Sequence, residues 1–347
     1  MTVYILYHAN CQDGLGAKYA AWKKYGDEAT YIPVQYGQEI PDEVFGDTKM
    51  FVEIEIGEEF YDPATKCLYL KETDVVARLV YESDETKTFT QNREDTEKFG
   101  MNFVFDDDER VHLSKTSIVF IVDFSYPYEA LERLRWAAST LVILDHHKTA
   151  QEALKDFPGA IFDMDRSGAM IAWNYFHPDI PPPRLIECVQ DRDLWTKKFD
   201  ETEAISSALP LLEGDMELWD YAAMDPKGFM RLYNEGLIIN RYKEIKVAAD
   251  AESVTVLRYR GYKAGVRNYT GNPSDLGQAI YTGPLNVDFS MTYFIDASGQ
   301  VVVSFRSPKD GVDVGALAKE LKGGGHHSAS GARVDLNFLT KLLAGEL

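Results

Sequence analysis

The chain has 347 residues, more than one typical domain needs and enough for two. Against 36 Lys and Arg stand 56 Asp and Glu, a formal net charge of −20, and such a surface repels long nucleic acid and the anionic face of a membrane. With 45% hydrophobic and 27% charged residues the composition is that of a globular protein and excludes wholesale disorder.

The N-terminal stretch TVYILYH (2–8) is a short β-prone apolar run that ends in a polar cluster. No apolar run approaches the ~20 residues that span a bilayer. The opening MTVYILYHANCQDG lacks the basic segment of an export signal, so no export signal is expected. Cys11, Cys67 and Cys188 are odd in number and widely spaced, which favours a reducing, cytoplasmic setting over a disulfide framework.

After Gly14, residues Leu15, Ala17, Tyr19, Ala20 and Trp22 follow helical spacing, and a second β-prone run covers Ala29–Val34. Residues 48–116 then break the pattern with 17 acidic and nine basic side chains. Strand-like fragments such as MFVEIEI and KCLYLKE point to an inserted, acidic, β-rich subdomain. Its DDDE run (106–109) reads as a solvated loop more readily than as a cation site. The alternation resumes with SIVFIVDFS (117–125), a helical pattern over 127–138, and TLVILDHH (140–147). Fully apolar strands alternating with helices predict a parallel sheet covered on both faces. Ligands of such sheets bind beyond the carboxyl ends of the strands. Three of those ends carry His8, Asp123 and the triplet Asp145-His146-His147.

Past Pro181-Pro182-Pro183, a helical segment leads into QDRDLW (190–195). The stretch from Asp225 to Asp250 has apolar residues at helical spacing and reads either as a connector or as one more packed helix of the first domain. Residues 253–347 hold ten Lys/Arg and eight Asp/Glu, a net +2, which leaves −22 for residues 1–252 and argues for two modules. The second module has β-prone segments up to VVVSFRS. A helix over 312–321 follows, then the glycine-rich GGGHHSASG (323–331).

The expected fold class is therefore α/β. A parallel, doubly wound N-terminal domain carries the inserted acidic β-rich subdomain, and a smaller α/β C-terminal domain follows. The expected boundaries are 1–200 (with 48–116 inserted), 201–252 for a helical extension and linker, and 253–347.

The chemistry lies in four motifs. YHANCQDG places His8, Asn10, Cys11 and Asp13 within six residues. Imidazoles with carboxylates suit a divalent ion of the manganese or magnesium type, and two such ions would clamp an in-line phosphoryl displacement. Asp123, at the central strand end, is the candidate to be shared between them. Asp13 has helix N-capping as its plainer reading. In the segment Asp191-Arg192-Asp193, one carboxylate would complete a metal shell while the other orients a ligand or pairs with Arg192. The glycine-rich segment offers N–H groups to an anion, with His326 and the Ser hydroxyls as further donors and Arg306 as a phosphate grip.

Together these residues resemble the DHH phosphoesterase superfamily, whose signature is the triplet Asp145-His146-His147. The segment H-x-x-C-x-D-G (His8 to Gly14), Asp123, QDRD and GGGHHSASG fall in that superfamily's order. The last resembles the DHH-associated C-terminal domain of RecJ-like exonucleases and nanoRNases. The resemblance covers roughly 1–47, 117–200 and 253–340. It implies that His8 and Asp123 hold one metal, and that Asp13, Asp123, His146 and Asp191 hold the other. His147 would face the phosphate, with Asp145 orienting the histidines. The C-terminal domain would bind substrate through Arg306, Gly324, Gly325, His326, His327 and Ser330. Where the superfamily has an Asp, this chain has Cys11, a softer ligand for the first metal.

The implied activity is a metal-dependent phosphodiesterase, with two Mn2+ ions or with Mg2+ or another divalent ion. Its substrates would be short oligonucleotides or small nucleotides, cyclic dinucleotides included. The charge makes long duplex DNA an unfavourable partner, and a membrane likewise. The alternatives are a single-strand exonuclease, which wants a basic groove that the sequence does not show, and a non-catalytic nucleotide-binding protein. The oligomeric state stays open between monomer and homodimer.

Overall fold

A computed structural model of the chain describes residues 1–46, 48–50, 54–62, 67–71, 76–81, 102–104, 110–113 and 115–346. The chain divides into two units, Met1–Leu237 and Ile238–Leu347.

In the first unit the apolar runs become a five-stranded parallel sheet. Its strands are β1 (Thr2–His8), β2 (Ala29–Val34), β9 (Ser117–Val122), β10 (Thr140–Asp145) and β11 (Ala160–Phe162), in the order β11-β10-β9-β1-β2. Alternate side chains bury opposite faces of the sheet. Tyr4, Leu6, Val119, Ile121, Leu141 and Ile143 join Leu131 and Leu134 of helix α2 (Tyr128–Ala137) in one core. On the other face Phe120 packs against Phe176 of α4 (Gly168–Phe176) and Tyr25 of α1 (Gln12–Tyr25), with ring centroids 5.1 and 5.8 Å apart. The doubly wound parallel domain expected from the strand pattern is thus present. Small residues let α1 lie close to its neighbours: a β-carbon on Gly16 would come within 2.8 Å of the Ala169 methyl.

The insertion forms its own six-stranded antiparallel sheet of β3 (Thr48–Met50), β4 (Glu59–Asp62), β5 (Cys67–Lys71), β6 (Val76–Tyr81), β7 (Asn102–Val104) and β8 (Arg110–Leu113). Tyr61 and Leu68 reach into the core beneath the parallel sheet, where Tyr61 stacks on Phe45 with centroids 4.1 Å apart. The DDDE run lies outside the described residues.

Helices complete the unit: α3 (Lys148–Ala153), α5 (Arg184–Asp193), α6 (Thr202–Ala208) and α7 (Met216–Met224). Residues 226–250 belong to one 27-residue helix, α8 (Pro226–Glu252), within which the division between the units falls. Its first half packs on the first unit through Gly236, where a β-carbon would lie 1.9 Å from the Ala204 carbonyl oxygen. No helix among the described residues is long and apolar enough to cross a membrane.

The second unit is a six-stranded mixed sheet, β12 (Thr255–Tyr259), β13 (Tyr262–Asn268), β14 (Phe289–Ile295), β15 (Val301–Arg306), β16 (Gly324–His326) and β17 (Ala329–Val334), in the order β12-β13-β14-β15-β17-β16. Only β13 and β14 run parallel, and α9 (Pro273–Thr282) makes that crossover. Val314 and Leu317 of α10 (Val314–Glu320), with Leu339 and Leu342 of α11 (Leu336–Ala344), cover the core of Phe289, Met291, Val303 and Phe305. The glycine-rich segment is a tight hairpin here: β16 pairs Gly324 with Gly331, Gly325 with Ser330 and His326 with Ala329. Its glycines serve that close approach, since a β-carbon on Gly323 would lie 2.2 Å from the Gly331 carbonyl oxygen and Gly325 has φ +138°.

Candidate metal centre

The chain leaves β1 for β2 on one side and returns to β9 on the other. The switch point of the sheet therefore lies between β1 and β9, where a crevice opens at the strand ends. His8 closes β1, Asp123 follows β9, and Asp145-His146-His147 straddles the end of β10. The fold itself brings these residues together.

Asp123 is the centre of the arrangement. Its backbone takes the left-handed conformation (φ 55°), held by its N–H donating to Leu144 O at 2.9 Å. The side chain is 1% exposed, yet neither carboxylate oxygen accepts a hydrogen bond. Oδ2 lies 3.5 Å from His8 Nδ1, itself buried and unpartnered, and Oδ1 lies 3.3 Å from His146 Nε2. A buried carboxylate with no donor is costly, and the neighbours that explain it are the two imidazoles and whatever cation they jointly hold.

Asp13 sits beside it, tied to another element. Its oxygens accept from the amides of Gly168 (2.6 Å) and Ala169 (3.0 Å), the opening residues of α4. Asp13 thus does cap a helix, but α4 rather than its own α1, whose N-cap residue Cys11 makes no side-chain cap. Asp13 Oδ2 also stands 3.5 Å from His146 Nε2. Gly14 allows the return of the chain, since a β-carbon there would lie 2.1 Å from the His8 carbonyl oxygen.

Asp145 is fully buried and saturated. Oδ2 accepts from Ser125 Oγ at 2.5 Å. Oδ1 accepts from the amide of His146 (2.7 Å), the amide of His147 (3.2 Å) and His147 Nδ1 (2.7 Å). It fixes the His147 tautomer with the proton on Nδ1 and leaves Nε2 for a ligand.

The electrostatics describe a site short of positive charge. Burial, then the Asp123 and Asp193 carboxylates, push the Asp13 carboxyl well above the usual range. Burial also works against the Asp123 anion, but His146 and His8 prevail and hold it down at about 2. Burial opposes protonation of His146, while Asp123, Asp13 and Asp193 raise it to about 9. The hydrogen bond to Asp145 raises His147. Burial and the Asp123 charge push the Cys11 thiol up to about 12. A divalent cation relieves every one of these conflicts.

The donors form three overlapping groups, each with its ligand atoms within 4.8 Å of one another: His8–Cys11–Asp123, Asp123–His146–His147 and Asp13–His146–Asp193. Cys11 stands with His8 and Asp123 in the first of these groups. The expectation for Asp191 is corrected. Residues 191 and 193 lie on α5, where positions two apart face away from each other. Asp193 Oδ2 is the carboxylate 3.7 Å from His146 Nε2. Asp191 instead turns into its own loop and accepts from Thr196 Oγ1, Thr202 Oγ1 and the amides of Lys198 and Phe199, at 2.5 to 3.3 Å. Tyr36 was also missed: its ring stands at the mouth, 5.5 Å from His8 and 6.2 Å from His147. Ser125 and Gly168 were missed too. The Ser-Gly pair ahead of α4 was the one legible sign of a close approach.

In the second unit, Arg306 donates through Nε to Ser274 Oγ (3.2 Å) and through its Nη1 to Phe305 O (2.8 Å), with no carboxylate partner among the described residues. Ser330 Oγ is spent on Val314 O at 2.6 Å, and His327 Nε2 donates to Gly311 O at 3.2 Å. Gly324, Gly325 and His326 are exposed. Of the expected phosphate donors, Arg306 and His326 remain available, while the Ser330 hydroxyl and the His327 Nε2–H serve the hairpin.

A doubly wound sheet with imidazoles and carboxylates converging at its switch point defines an α/β domain built to hold divalent cations. Residues 269–345 match the DHHA1 domain family. That match, with the sheet-borne Asp145-His146-His147 triplet ahead of it, is consistent with the DHH phosphoesterase superfamily that the sequence resembles. Over 335 residues it is 28% identical to uncharacterized protein R106 of Acanthamoeba polyphaga mimivirus, covering 94% of this chain and 66% of the viral one, so the chain spans about two thirds of that relative's length. Among solved structures it is similar to the pGpG-specific phosphodiesterase PggH of Vibrio cholerae (TM-score 0.46, 12% identity, 99% and 100% of the two chains). It is also similar to exonuclease RecJ bound to manganese (TM-score 0.41, 15% identity, 99% and 89%).

Proposed function

We propose that the protein is a divalent-metal-dependent phosphodiesterase that hydrolyses short oligonucleotides or small nucleotides in a reducing, cytoplasmic compartment. The observation that carries this reading is Asp123, a buried carboxylate with both oxygens unpartnered between two imidazoles at the sheet's switch point. His8, Cys11 and Asp123 would hold one ion; Asp13, His146 and Asp193, again with Asp123, would hold the second. Manganese suits the nitrogen and oxygen donors, and Cys11 adds a softer sulfur at the first position. Divalent ions bound by these residues would supply charge neutralisation at the phosphoryl oxygens and a lowered pKa for an attacking water.

The protein's own part is positional. Asp145 keeps the His147 Nδ1 proton in place, so Nε2 is the atom that meets the phosphate and handles the proton of the leaving oxygen. Within the second unit, Arg306 and exposed His326 are candidate donors to a phosphate. The net charge of −20 favours substrates with few phosphates over long strands.

The test is hydrolysis of dinucleotides, pentanucleotides, cyclic dinucleotides and a long single strand, each with Mn2+, Mg2+ and Zn2+. The expected result is Mn2+-supported release of mononucleotides from the short substrates, lost with EDTA and lost at least ~100-fold in Asp123→Asn. An Asp123→Asn protein with full activity overturns the assignment, and a strong preference for the long strand overturns the substrate class.

A further inference from the structure

A cavity of about 510 Å³ lies at the carboxyl edge of the parallel sheet, on the β2 side of the metal centre. Tyr7, Cys11, Leu15, Lys18, Pro33 and Leu209 are among the residues that line it. It shares Cys11 with the His8–Cys11–Asp123 group. Its size falls in the range of small-molecule sites, roughly 300–1,000 Å³. Its walls mix apolar and polar groups in nearly equal measure, and the Gln12 amide among them is engaged in both directions with Ser206, at 2.7 and 2.9 Å.

Lys18 is the one cationic side chain in this lining among the described residues. Its ammonium is half-buried and makes one long hydrogen bond, to the Gly214 carbonyl at 3.4 Å. It otherwise rests over the rings of Tyr7 and Tyr31, 5.2 and 5.8 Å from their centroids. No carboxylate lies within 4 Å of it among the described residues. The acid whose field reaches it, Asp215, spends Oδ1 on the amides of Glu217 and Leu218. Glu213 also lines the cavity but is exposed to solvent, where its charge is screened. In a chain with 20 excess negative charges, a half-buried ammonium with no acid in ion-pair contact among the described residues is a place that suits an anion from elsewhere.

We propose that this cavity is the subsite for the nucleotide unit next to the scissile phosphodiester, and that Lys18 pairs with the terminal phosphate of that unit. The proposal rests on the phosphodiesterase reading above and narrows its substrates to short nucleotides bearing a terminal phosphate. Leu15, Pro33, Leu209 and Pro210 supply apolar walls for a base or sugar face, and Lys18 supplies the countercharge for the distal phosphate.

The experiment compares dinucleotides carrying a 5′-phosphate, a 3′-phosphate or no terminal phosphate, using the full chain with Mn2+. The wild type is expected to favour one terminally phosphorylated form by about tenfold or more in kcat/KM, which corresponds to ~1.4 kcal/mol. Lys18→Met is expected to raise KM for that substrate by a similar factor, to leave kcat and the unphosphorylated dinucleotide unchanged, and so to erase the preference. Lys18→Arg should restore it. Equal use of all three dinucleotides by the wild type, or a uniform loss in Lys18→Met, overturns the subsite while leaving the metal centre standing. If no dinucleotide is cleaved, the phosphodiesterase reading fails, and calorimetric binding decides the subsite by itself. Tighter binding of a phosphorylated dinucleotide that depends on Lys18 supports it, and binding indifferent to Lys18 overturns it.

Discussion

Gly168 lies so close to Asp123 that a β-carbon on the glycine would come within 2.6 Å of Asp123 Oδ1 and 2.5 Å of its Cβ. The same glycine donates its amide to Asp13 at 2.6 Å. One residue at the start of α4 therefore sets the spacing of two carboxylates contributed by separate strands and loops. The obstacle a methyl would meet is the Asp123 side chain near its root, which cannot swing aside as a flexible tip would.

Gly168→Ala is accordingly expected to act on the site through Asp123. Overpacking of this kind costs ~1–3 kcal/mol, and Mn2+ affinity should fall at least about tenfold as Asp123 moves. Calorimetric titration with Mn2+, alongside a thermal melt, checks it. A variant that binds Mn2+ as the wild type does would show that the Asp13–Asp123 spacing does not depend on the bare glycine.

Asp191 and Asp193 should separate cleanly by phenotype. Asp191 accepts four hydrogen bonds that pin residues 196–202, and its carboxyl is held at about 2 because these donors outweigh its burial. Asp191→Asn is expected to lose ~2 kcal/mol of stability with metal affinity little changed. Asp193→Asn is expected to melt as the wild type does while losing at least about tenfold in Mn2+ affinity. The reverse pattern in melting and titration would restore Asp191 to the metal.

This pair also marks how far the sequence could be read. Apolar runs closing on His8, Asp123 and Asp145 were enough to expect a parallel sheet and a cluster at its carboxyl edge, because strand direction alone brings strand ends together. Within QDRD, residue type gave no choice between the two acids. The choice depends on the phase of α5 and on donors from Thr196 and Thr202 that fold back from further along the chain. From the sequence alone, Asp13 is a natural cap for the helix it opens. The helix it caps begins 155 residues later, at Gly168, a pairing that only the packed fold sets. The glycine-rich segment suggested an anion loop, whereas its glycines are used up by a tight strand pairing at the sheet edge.

Cys11 makes the ion at the first position testable by its colour. Its sulfur stands with His8 and Asp123 within ligand reach of a common point. Co2+ bound there should show a thiolate-to-cobalt charge-transfer band in the near ultraviolet. Cys11→Ser should lose that band and keep the visible bands of cobalt held by nitrogen and oxygen. Cys11→Asp should shift preference toward Mn2+ and Mg2+, since a carboxylate is the harder ligand. Cobalt that binds stoichiometrically without the charge-transfer band would take Cys11 out of the ligand set.

His177 gives the fold a pH dependence apart from the metal centre. The ring is 8% exposed, donates from Nε2 to Ala20 O at 2.9 Å, and lies against Trp173 with centroids 4.5 Å apart. Burial, with added repulsion from Lys24 and Lys23, lowers its pKa from the ordinary histidine value. In the unfolded chain the ring takes a proton near the usual value of about 6.5. Below that pH the unfolded state binds the proton that the folded state refuses, so stability falls with pH. The contribution is fully present above about pH 6.5 and is lost as the pH drops from there through the lowered folded value. His146 and His147 titrate in the opposite sense, so the wild type alone does not isolate the effect. The difference between wild type and His177→Gln does, because glutamine keeps a donor for Ala20 O without a titrating ring. Melting temperatures measured from pH 8 to pH 5 should diverge, with the wild type losing more than the variant as the pH falls. Parallel curves over that range would show that His177 is protonated equally in both states.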